Sequence, residues 1–416
     1  MNGVCNLSGL APAEAAARCR ALPGLVFFDT ATVAEDENAL SLLAAEPSLV
    51  LTGRTHADWE VLREAVASRQ RPAASPEGIP PGFAAGWVEY DGAFCFGFYD
   101  AVLAYRHADA AWIAAGNGTP AWADMLTRRC DTTSTCPLPR IAFAPPMARA
   151  DFIARVERAQ AYIAAGDIYQ VNLTHRFSVP WPGNADPFAL YEALRRCSPA
   201  PHAAYLALNE RRVLSSSPEL FLKIDGRRIC TRPIKGTRPR RADPEEDVRS
   251  ARDLTSSPKE RAELLMITDL ERNDLGQICA YGSVRAPELL KLERFAQVFH
   301  LVSTVEGELR PKVDAVTALR ACSPGGSITG APKKRAMEII AELEPEPRGL
   351  YTGAIGYFGF DGSAQFNIAI RTVVVEKGLA HFHVGGGIVA DSLPEKEWQE
   401  TLDKAAGILL AAEQMR

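Results

Sequence analysis

The chain has 416 residues, of which 47% are hydrophobic and 23% charged, and its formal net charge is −5. This length and composition are typical of a soluble globular protein with room for a buried active site. The mild negative charge without a basic block argues against nucleic acid as a partner. The lack of an uncharged apolar run of about 18 residues argues against a membrane-spanning helix.

The N-terminal segment and the cysteines bear on the compartment. The segment MNGVCNLSGLAPAEAAARCR lacks the basic start and the apolar stretch of a secretory signal. The nine cysteines are scattered without a C-x-x-C pair. That spacing favours reduced thiols over a disulfide framework or a zinc site. Both features predict a cytoplasmic protein that does not associate with membranes.

The N-terminal region, residues 1–146, is predicted to contain mixed strands and turns. The run Leu25–Phe28 and the Gly- and aromatic-rich stretch Gly82–Tyr105 have the composition of strands. The strings DTTSTCPLP and APP then break regular structure. We therefore place a sequence boundary at residue 146, followed by a second region over 147–416.

The second region begins with a helix and continues with many hairpins. DFIARVERAQAYIAAGDIYQ has apolar residues at helical spacing and is stopped by Gly166. The strings ALNERRVLS, KIDGRRICT and VVVEKGLAHFHV each predict two strands joined by a short turn. Hairpin connections imply antiparallel sheet, so the predicted class is α+β rather than a doubly wound α/β fold.

Two predicted helices each carry glutamates three residues apart, which places them on one helix face. The first helix opens with the capping box SPKE over 257–260, with proline at the first helical position, and SLPE over 392–395 opens the second in the same way. The paired glutamates are Glu260 and Glu263 on the first helix, and Glu397 and Glu400 on the second.

These glutamates have two interpretations. Taken singly, each pair is a helix cap with solvated acids. If the four carboxylates converge, they repel one another and take up protons unless a cation neutralises them. An all-oxygen site that leaves room for water and for an anionic substrate suits Mg²⁺. Spacing alone leaves both interpretations open.

Two glycine-rich segments could bind anions. Gly385–Gly387 follows the alternating strand HFHV and is either a nest of backbone N–H groups or a plain tight turn. In Ser323–Lys333 two glycines have the spacing of a phosphate loop. However, Ala331 and Pro332 stand where that loop needs a lysine and a hydroxyl residue, so we reject nucleotide binding.

Three single residues also have a structural and a functional interpretation. Lys235 follows the predicted strand RRICT and is a solvated strand-end lysine, unless burial or a nearby cation makes it a free amine. Arg371 in FNIAIRTVVV points outward unless an anion pairs with it. His300 in FAQVFHLVS is expected to be a buried, hydrogen-bonded core histidine.

Several strings between Arg149 and the C-terminus together resemble the chorismate-binding enzymes. That family includes anthranilate, aminodeoxychorismate, isochorismate and salicylate synthases. The strings are GDIYQVNL, SSSPELFL, PIKGT, KERAELLMITDLERNDLG, VFHLVSTVEG, GGSITGAPK, YTGAIGYFGFDG, FNIAIRT and GGGIVADSLPEKEWQET. The resemblance implies a large α/β/β/α sandwich of two mainly antiparallel sheets with helices on the outside. It also implies that the N-terminal region packs into the same body.

Three positions distinguish between branches of that family. Members that add water carry a lysine base where this chain has Gln170, so ammonia is the expected nucleophile. Anthranilate synthases have alanine where Lys235 stands, whereas aminodeoxychorismate synthases have lysine. Phe27–Thr30 replaces the tryptophan-pocket string LLES of anthranilate synthases, although some aminodeoxychorismate synthases also bind tryptophan.

The resemblance therefore implies component I of an aminodeoxychorismate synthase. Such an enzyme converts chorismate and ammonia into 4-amino-4-deoxychorismate for 4-aminobenzoate and folate synthesis. A separate glutaminase subunit is the expected ammonia source, because no glutaminase domain with its nucleophilic cysteine is visible in the sequence. The alternatives are an anthranilate synthase component I, which aminates C2, and a non-catalytic scaffold for an amidotransferase.

The same resemblance implies the site residues. Lys235 attacks C2 of chorismate, Glu219 protonates the departing C4 hydroxyl and so needs a raised pKa, and His300 is a third catalytic candidate. The implied substrate-binding residues are Gln170, Gly236, Thr237, Thr329, Tyr351, Arg371, Gly385, Gly386 and Gly387. The implied Mg²⁺ ligands are Glu260, Glu263, Glu397 and Glu400.

Overall fold

The computed structural model describes residues 3–4, 7, 9–32, 39–71, 78–127, 140–143, 147–295 and 297–415. The predicted boundary at residue 146 and the breakers DTTSTCPLP and APP lie outside these residues.

Ten helices occur among the described residues, and they are α1 (Pro12–Arg18), α2 (His56–Ala67), α3 (Asp124–Thr127), α4 (Arg149–Ala164), α5 (Pro187–Cys197), α6 (Pro244–Ser256), α7 (Pro258–Gly276), α8 (Ala315–Cys322), α9 (Lys333–Leu343) and α10 (Pro394–Glu413). Two short 3₁₀ helices lie at Ala121–Ala123 and Gly326–Ile328. The predicted helix after residue 149 is confirmed as α4. Among the described helices, none is long and apolar enough to cross a membrane.

The strands are β1 (Gly3–Val4), β2 (Val26–Asp29), β3 (Leu40–Ala44), β4 (Leu49–Gly53), β5 (Phe83–Val88), β6 (Phe94–Tyr99), β7 (Ala101–Arg106), β8 (Ala111–Gly116), β9 (Gln170–Pro180), β10 (His202–Leu208), β11 (Arg211–Ser217), β12 (Leu220–Asp225), β13 (Arg228–Arg232), β14 (Ile234–Pro239), β15 (Arg285–Arg294), β16 (Val298–Glu308), β17 (Gly330–Ala331), β18 (Ala354–Gly359), β19 (Ala364–Ile368), β20 (Thr372–Glu376) and β21 (Leu379–Ile388).

These strands form two large sheets. The first has 11 strands in the order β1-β8-β7-β3-β2-β10-β11-β20-β21-β9-β17. The second has 10 strands in the order β14-β16-β13-β12-β19-β18-β5-β6-β4, with β15 paired to β16. Strands from before residue 146 are hydrogen-bonded into both sheets, for example β2 to β10 and β5 to β18, both antiparallel.

The three predicted hairpins are confirmed as β10–β11, β12–β13 and β20–β21. Their turns contain residues that tolerate a positive φ, including Asn209 at 46°, Gly226 at 57° and Gly378 at 73°. Short turns of this kind join neighbouring antiparallel strands. The predicted α+β class therefore follows from local sequence and is confirmed.

Alternation along the strands divides the core into layers. In β2, Val26 packs between the two sheets with Phe83 and Val102. The next residue, Phe27, packs on the outer side of its sheet against Tyr191 of α5. Helices α2 and α8 cover the outer face of the other sheet. Because both faces of each sheet are covered, strands such as β5 are buried at every position. The predicted sandwich with helices on the outside is confirmed.

Candidate active site

A cavity of about 770 Å³ opens among β14, β16, β21, α7 and α10. It is large enough for a small-molecule ligand. Most of the residues singled out from the sequence line it, namely Glu219, Lys235, Gly236, Thr237, Glu260, Glu263, His300, Tyr351, Arg371, Gly385, Gly387 and Glu400. The fold thus brings together segments that are separated by up to about half of the chain.

Lys235 and Glu219 meet through Ser327. The Nζ atom of Lys235 donates to the carbonyl oxygen of Ser327 at 3.4 Å, and the Ser327 side chain donates to the Glu219 carboxyl group. Glu219, 6% exposed, lies in the bend between β11 and β12. Burial raises the pKa of Glu219, and the Ser327 hydrogen bond and the Lys235 cation only partly oppose this. The direction agrees with a carboxyl group that stays protonated.

His300 is both a core histidine and a cavity residue. Its Nδ1 atom lies 3.0 Å from the Thr237 hydroxyl oxygen, and its ring is buried in β16. Burial, together with the nearby Arg371 cation, lowers the pKa of His300 to about 4. The imidazole is therefore neutral at physiological pH. In that form it acts as a hydrogen-bonding group rather than as a cation.

Arg371 points into the cavity, but it is not in a continuous strand. It lies between β19 and β20 with a φ of 49°, and its carbonyl accepts from the Ser216 N–H at 3.1 Å. Burial lowers the pKa of Arg371, and Glu219 opposes that effect. No carboxylate forms an ion pair with its guanidinium within the part of the chain that the structure describes. The guanidinium is available to an anionic ligand.

The four glutamates gather around one lysine. The Nζ atom of Lys259 lies 3.6 Å from Glu397 Oε1. The charges of all four glutamates favour the charged form of Lys259 and together raise its pKa against the effect of burial. One of the two interpretations of the sequence has crowded carboxylates that need a cation, and in this structure the Lys259 ammonium faces them.

The two glutamates of α10 differ in their partners. Glu397 is 2% exposed and accepts from the Ser392 hydroxyl at 2.7 Å. Burial raises the pKa of Glu397. Burial also acts on Glu400, but Lys404, Lys259 and Lys235 together lower its pKa. Of the two glutamates, Glu400 lines the cavity.

The predicted cap of α10 is wrong. Leu393 is the N-cap residue, and no side-chain hydrogen bond caps the helix. Ser392 lies one residue too early, and its hydroxyl donates to Glu397 instead. By contrast, the Ser257 side chain accepts from the Glu260 N–H at 3.4 Å, which confirms the predicted start of α7.

Both interpretations of the triple glycine are wrong. Gly385–Gly387 lies inside β21 and pairs with β9, so it forms neither a nest nor a turn. A Cβ atom at Gly387 would lie 2.3 Å from Gln170 Nε2, and one at Gly386 would lie 3.3 Å from Glu397 Oε2. The missing side chains leave room between the sheet and the carboxylates, which is where a ligand can approach the backbone.

Four predicted site residues are not among the described residues that line the cavity. They are Gln170, Thr329, Gly386 and Glu397. Gln170 lies next to the cavity lining, because its side chain donates to the lining residue Glu263 at 2.7 Å. Thr329 is fully buried, and its hydroxyl donates to the Gly325 carbonyl at 3.0 Å. The Thr329 hydroxyl is thus hydrogen-bonded inside its own loop, and a contact between Thr329 and a ligand stays a prediction.

Sequence reasoning missed several polar residues of the cavity, and three of them contact the predicted site residues. Ser327 links Lys235 to Glu219, and Lys259 faces the glutamates. Lys404 donates to Glu400 at 2.7 Å and to the Gly385 carbonyl at 2.9 Å. Two signals were available in the sequence: Lys259 adjoins Glu260, and Lys404 follows Glu400 at the i,i+4 spacing.

The carboxylates have the donor chemistry of a magnesium site. No three histidine, cysteine, aspartate or glutamate side chains already converge as a ligand set in the described ranges. Mg²⁺ needs few direct protein ligands, since it keeps several waters and takes others from an anionic substrate. The all-carboxylate set, which in this structure is balanced by lysines, therefore fits such a cation. We expect Glu260, Glu263, Glu397 and Glu400 to hold it, some of them through water.

Comparison with known proteins identifies the family. The family model described as chorismate binding enzyme matches residues 31–410. The chain belongs to this family. The match crosses the predicted boundary at residue 146, so the family relationship extends well before Arg149, where the resemblance in the sequence begins.

Relatives within the family carry two different names. Anthranilate synthase component 1 of Streptomyces coelicolor is 50% identical over 303 residues, which cover 73% of this chain and 55% of the relative. Aminodeoxychorismate synthase component 1 of Bacillus subtilis is 46% identical over 272 residues, which cover 65% of this chain and 57% of the relative. The matched part of the chain thus spans little more than half the length of these curated relatives.

Solved structures confirm the fold. Anthranilate synthase component I from Streptococcus pneumoniae superposes with a TM-score of 0.76 at 29% identity, covering 89% of this chain and 92% of that chain. The menaquinone-specific isochorismate synthase from Escherichia coli superposes with a TM-score of 0.77 at 19% identity, covering 100% of this chain and 94% of that chain. At that identity the second similarity shows the fold alone.

The magnesium site is tested by Glu263→Gln, which keeps the shape of the side chain and removes one charge. We expect weaker Mg²⁺ binding and the loss of Mg²⁺-dependent chorismate binding, both measured by titration calorimetry. The matched control is Glu338→Gln, which changes an exposed glutamate that pairs with Arg335 on α9. Unchanged Mg²⁺ titration in the Glu263 variant would show that this carboxylate does not serve the metal.

Proposed function

We propose that this chain aminates chorismate at C4, as component I of an aminodeoxychorismate synthase. The product, 4-amino-4-deoxychorismate, would serve 4-aminobenzoate and folate synthesis. The observation that supports this most is the position of Lys235, whose amino group lies in the cavity and shares Ser327 with the buried acid Glu219. By family resemblance, lysine at this position belongs to the C4-aminating branch.

Chorismate is a dicarboxylate, and the cavity offers groups for both carboxylates. Arg371 supplies a guanidinium that pairs with no carboxylate among the described residues, and the Thr237 hydroxyl and Tyr351 line the same cavity. Gly385 and Gly387 leave the strand surface open beside the α7 and α10 glutamates. Mg²⁺ bound by those glutamates would supply positive charge to the ring carboxylate and make C2 more electrophilic.

The first half of the proposed reaction uses Lys235 and Glu219. The Lys235 amine forms a bond to C2 as the two ring double bonds shift, and the C4–O bond breaks. Glu219 gives its proton to the departing oxygen, which leaves as water. The carboxyl group suits this role because burial raises its pKa.

In the second half, ammonia forms a bond to C4, the double bonds shift back, and the C2–N bond to Lys235 breaks. The Lys235 amine is thereby regenerated, and the ring is not aromatised. Gln170 supports ammonia over water as the nucleophile. Its side chain is an amide without a basic nitrogen, and it is buried and hydrogen-bonded to Glu263. We propose that a separate glutaminase subunit supplies the ammonia.

A second candidate is amination at C2, the anthranilate synthase reaction, which the 50% identical Streptomyces relative favours. The two reactions share chorismate, ammonia and the metal, and they differ in the atom that receives nitrogen. The identity of the product separates them.

The deciding experiment incubates purified protein with chorismate, Mg²⁺ and an ammonium salt at alkaline pH, with aminodeoxychorismate lyase added to half. We expect 4-aminobenzoate only in the half with lyase, detected by chromatography. Fluorescent anthranilate formed without lyase would replace the proposal with the second candidate. No consumption of chorismate in either half would contradict both.

Lys235→Ala tests the covalent role. We expect the rate of C4 amination to fall by at least about 100-fold, because the variant has no amine to attack C2. Anthranilate is expected as a new minor product, since alanine is the residue of the sister enzymes. The measurement is product formation over time, and Lys223→Ala, an exposed lysine in β12, is the control. Full C4 amination by the Lys235 variant would refute covalent attack.

The pH dependence tests the acid role of Glu219. Only the protonated form can donate, so kcat is expected to fall as the pH rises through the raised pKa of this group. The assay uses saturating chorismate and a constant concentration of free ammonia, and it covers the range from about pH 6 to about pH 9. Glu219→Gln, which cannot give up a proton, should lose about 100-fold or more in kcat and lack this dependence. An identical pH profile in that variant would assign the proton to another group.

A further inference from the structure

A second set of buried carboxyl groups lies on α7, beyond the glutamates that face the cavity. Glu271 is 2% exposed. Its Oε1 atom accepts from two successive backbone N–H groups, that of Gly326 at 3.1 Å and that of Ser327 at 3.2 Å. The acid therefore holds the middle of the segment Ser323–Lys333, the glycine-rich string that the sequence excludes as a phosphate loop.

The start and the end of this segment are tied to the same helix. The Nζ atom of Lys333 donates to the buried Asp274 carboxylate at 2.5 Å. The same ammonium donates to the Pro324 carbonyl at 2.9 Å. Two acids one turn apart on α7 thus hold the segment in the middle and, through Lys333, near both ends.

The segment Ser323–Lys333 packs tightly against α7 at Gly326. A Cβ atom at Gly326 would lie 2.7 Å from the Leu270 side chain and 3.1 Å from Glu271 Oε1. The backbone can approach α7 this closely only because residue 326 is glycine. A shift of the segment away from α7 would leave two buried N–H groups without an acceptor, which is costly.

The side of the segment Ser323–Lys333 that points away from α7 faces Lys235 and Glu219. The carbonyl of Ser327 accepts from Lys235, and the side chain of Ser327 donates to Glu219. One residue thus contacts both groups to which the proposed function gives a chemical step. The N–H of that residue is the one that Glu271 holds.

We propose that Glu271 is a positioning residue, which fixes Ser327 through its backbone N–H and thereby aligns Lys235 with Glu219. This inference rests on the roles that the proposed function gives to Lys235 and Glu219. It requires only an acceptor oxygen at position 271, not a negative charge. In agreement, burial and the nearby Asp274 carboxylate raise the pKa of Glu271 to about 8, so the group need not be ionised.

The test compares two side chains of similar size. Glu271→Gln keeps an oxygen that can accept both N–H groups, whereas Glu271→Met fills the space without a comparable acceptor. Steady-state consumption of chorismate with ammonium and Mg²⁺ gives kcat and KM. We expect Met to lower kcat by about 100-fold, the effect of a misplacement of about 1 Å, with KM for chorismate changed less than about threefold. We expect Gln to retain kcat within about threefold.

Two controls separate positioning from a loss of stability. Thr268→Ala removes a buried hydroxyl of α7 that donates to Leu264 at 2.6 Å. It should lower the melting temperature without lowering kcat. In a Lys235→Ala background, the change from Glu271 to Met should have little further effect on the residual rate, because the group that it aligns is gone.

Equal kcat values for folded Met and Gln variants would overturn the inference, and so would a Met effect confined to KM. If the Met variant does not fold, Glu271→Asp is used, because its carboxyl group is drawn back by one methylene. It should then show the loss of kcat, and full activity would count against the inference. The wild-type product tests the proposed function separately, since the comparison of variants needs only chorismate consumption.

Discussion

The placement of buried carboxyl groups is the constraint on which the rest of this structure depends. A carboxylate withdrawn from water is unstable unless a cation or several N–H or O–H groups face it. The buried acids in and near the cavity have such partners: Ser392 and Lys259 for Glu397, Ser327 for Glu219, and backbone N–H groups for Glu271. These contacts join α7, α10 and the segment Ser323–Lys333 to the edges of both sheets. The need to satisfy the acids therefore also shapes the cavity.

Helix α7 has two roles along its length. Its first turns present Glu260 and Glu263 to the cavity, and its later turns hold the segment that carries Ser327. Because a helix is stiff over this distance, the proposed metal ligands and the carbonyl that receives Lys235 are held in a fixed relation. A change in the seating of α7 would move both together. Through this helix, acids with no access to the cavity would influence the proposed reaction inside it.

Burial in the cavity also favours the uncharged forms of two groups. The lowered pKa of His300 and the raised pKa of Glu219 both come mainly from desolvation. The cavity thus pairs a neutral imidazole and an acid with a raised pKa with the Arg371 guanidinium and the glutamates. Such a combination suits a dianionic substrate whose hydroxyl needs a proton to leave. The relatives are named as anthranilate synthase and as aminodeoxychorismate synthase, and the proposal of C4 amination rests on Lys235.

The sequence by itself determined the elements and the composition of the site. Hairpins such as ALNERRVLS predict antiparallel sheet because short turns permit little else, and the glutamate spacing on α7 predicts a shared face. Only the tertiary structure decided where the elements meet. Gly385–Gly387 has the local composition of a turn but lies within β21, because β9 pairs with it. Thr329 turned inward, and Ser327 and Glu271 came together from positions 56 residues apart. Contacts between distant segments depend on packing, which no local pattern in the sequence records.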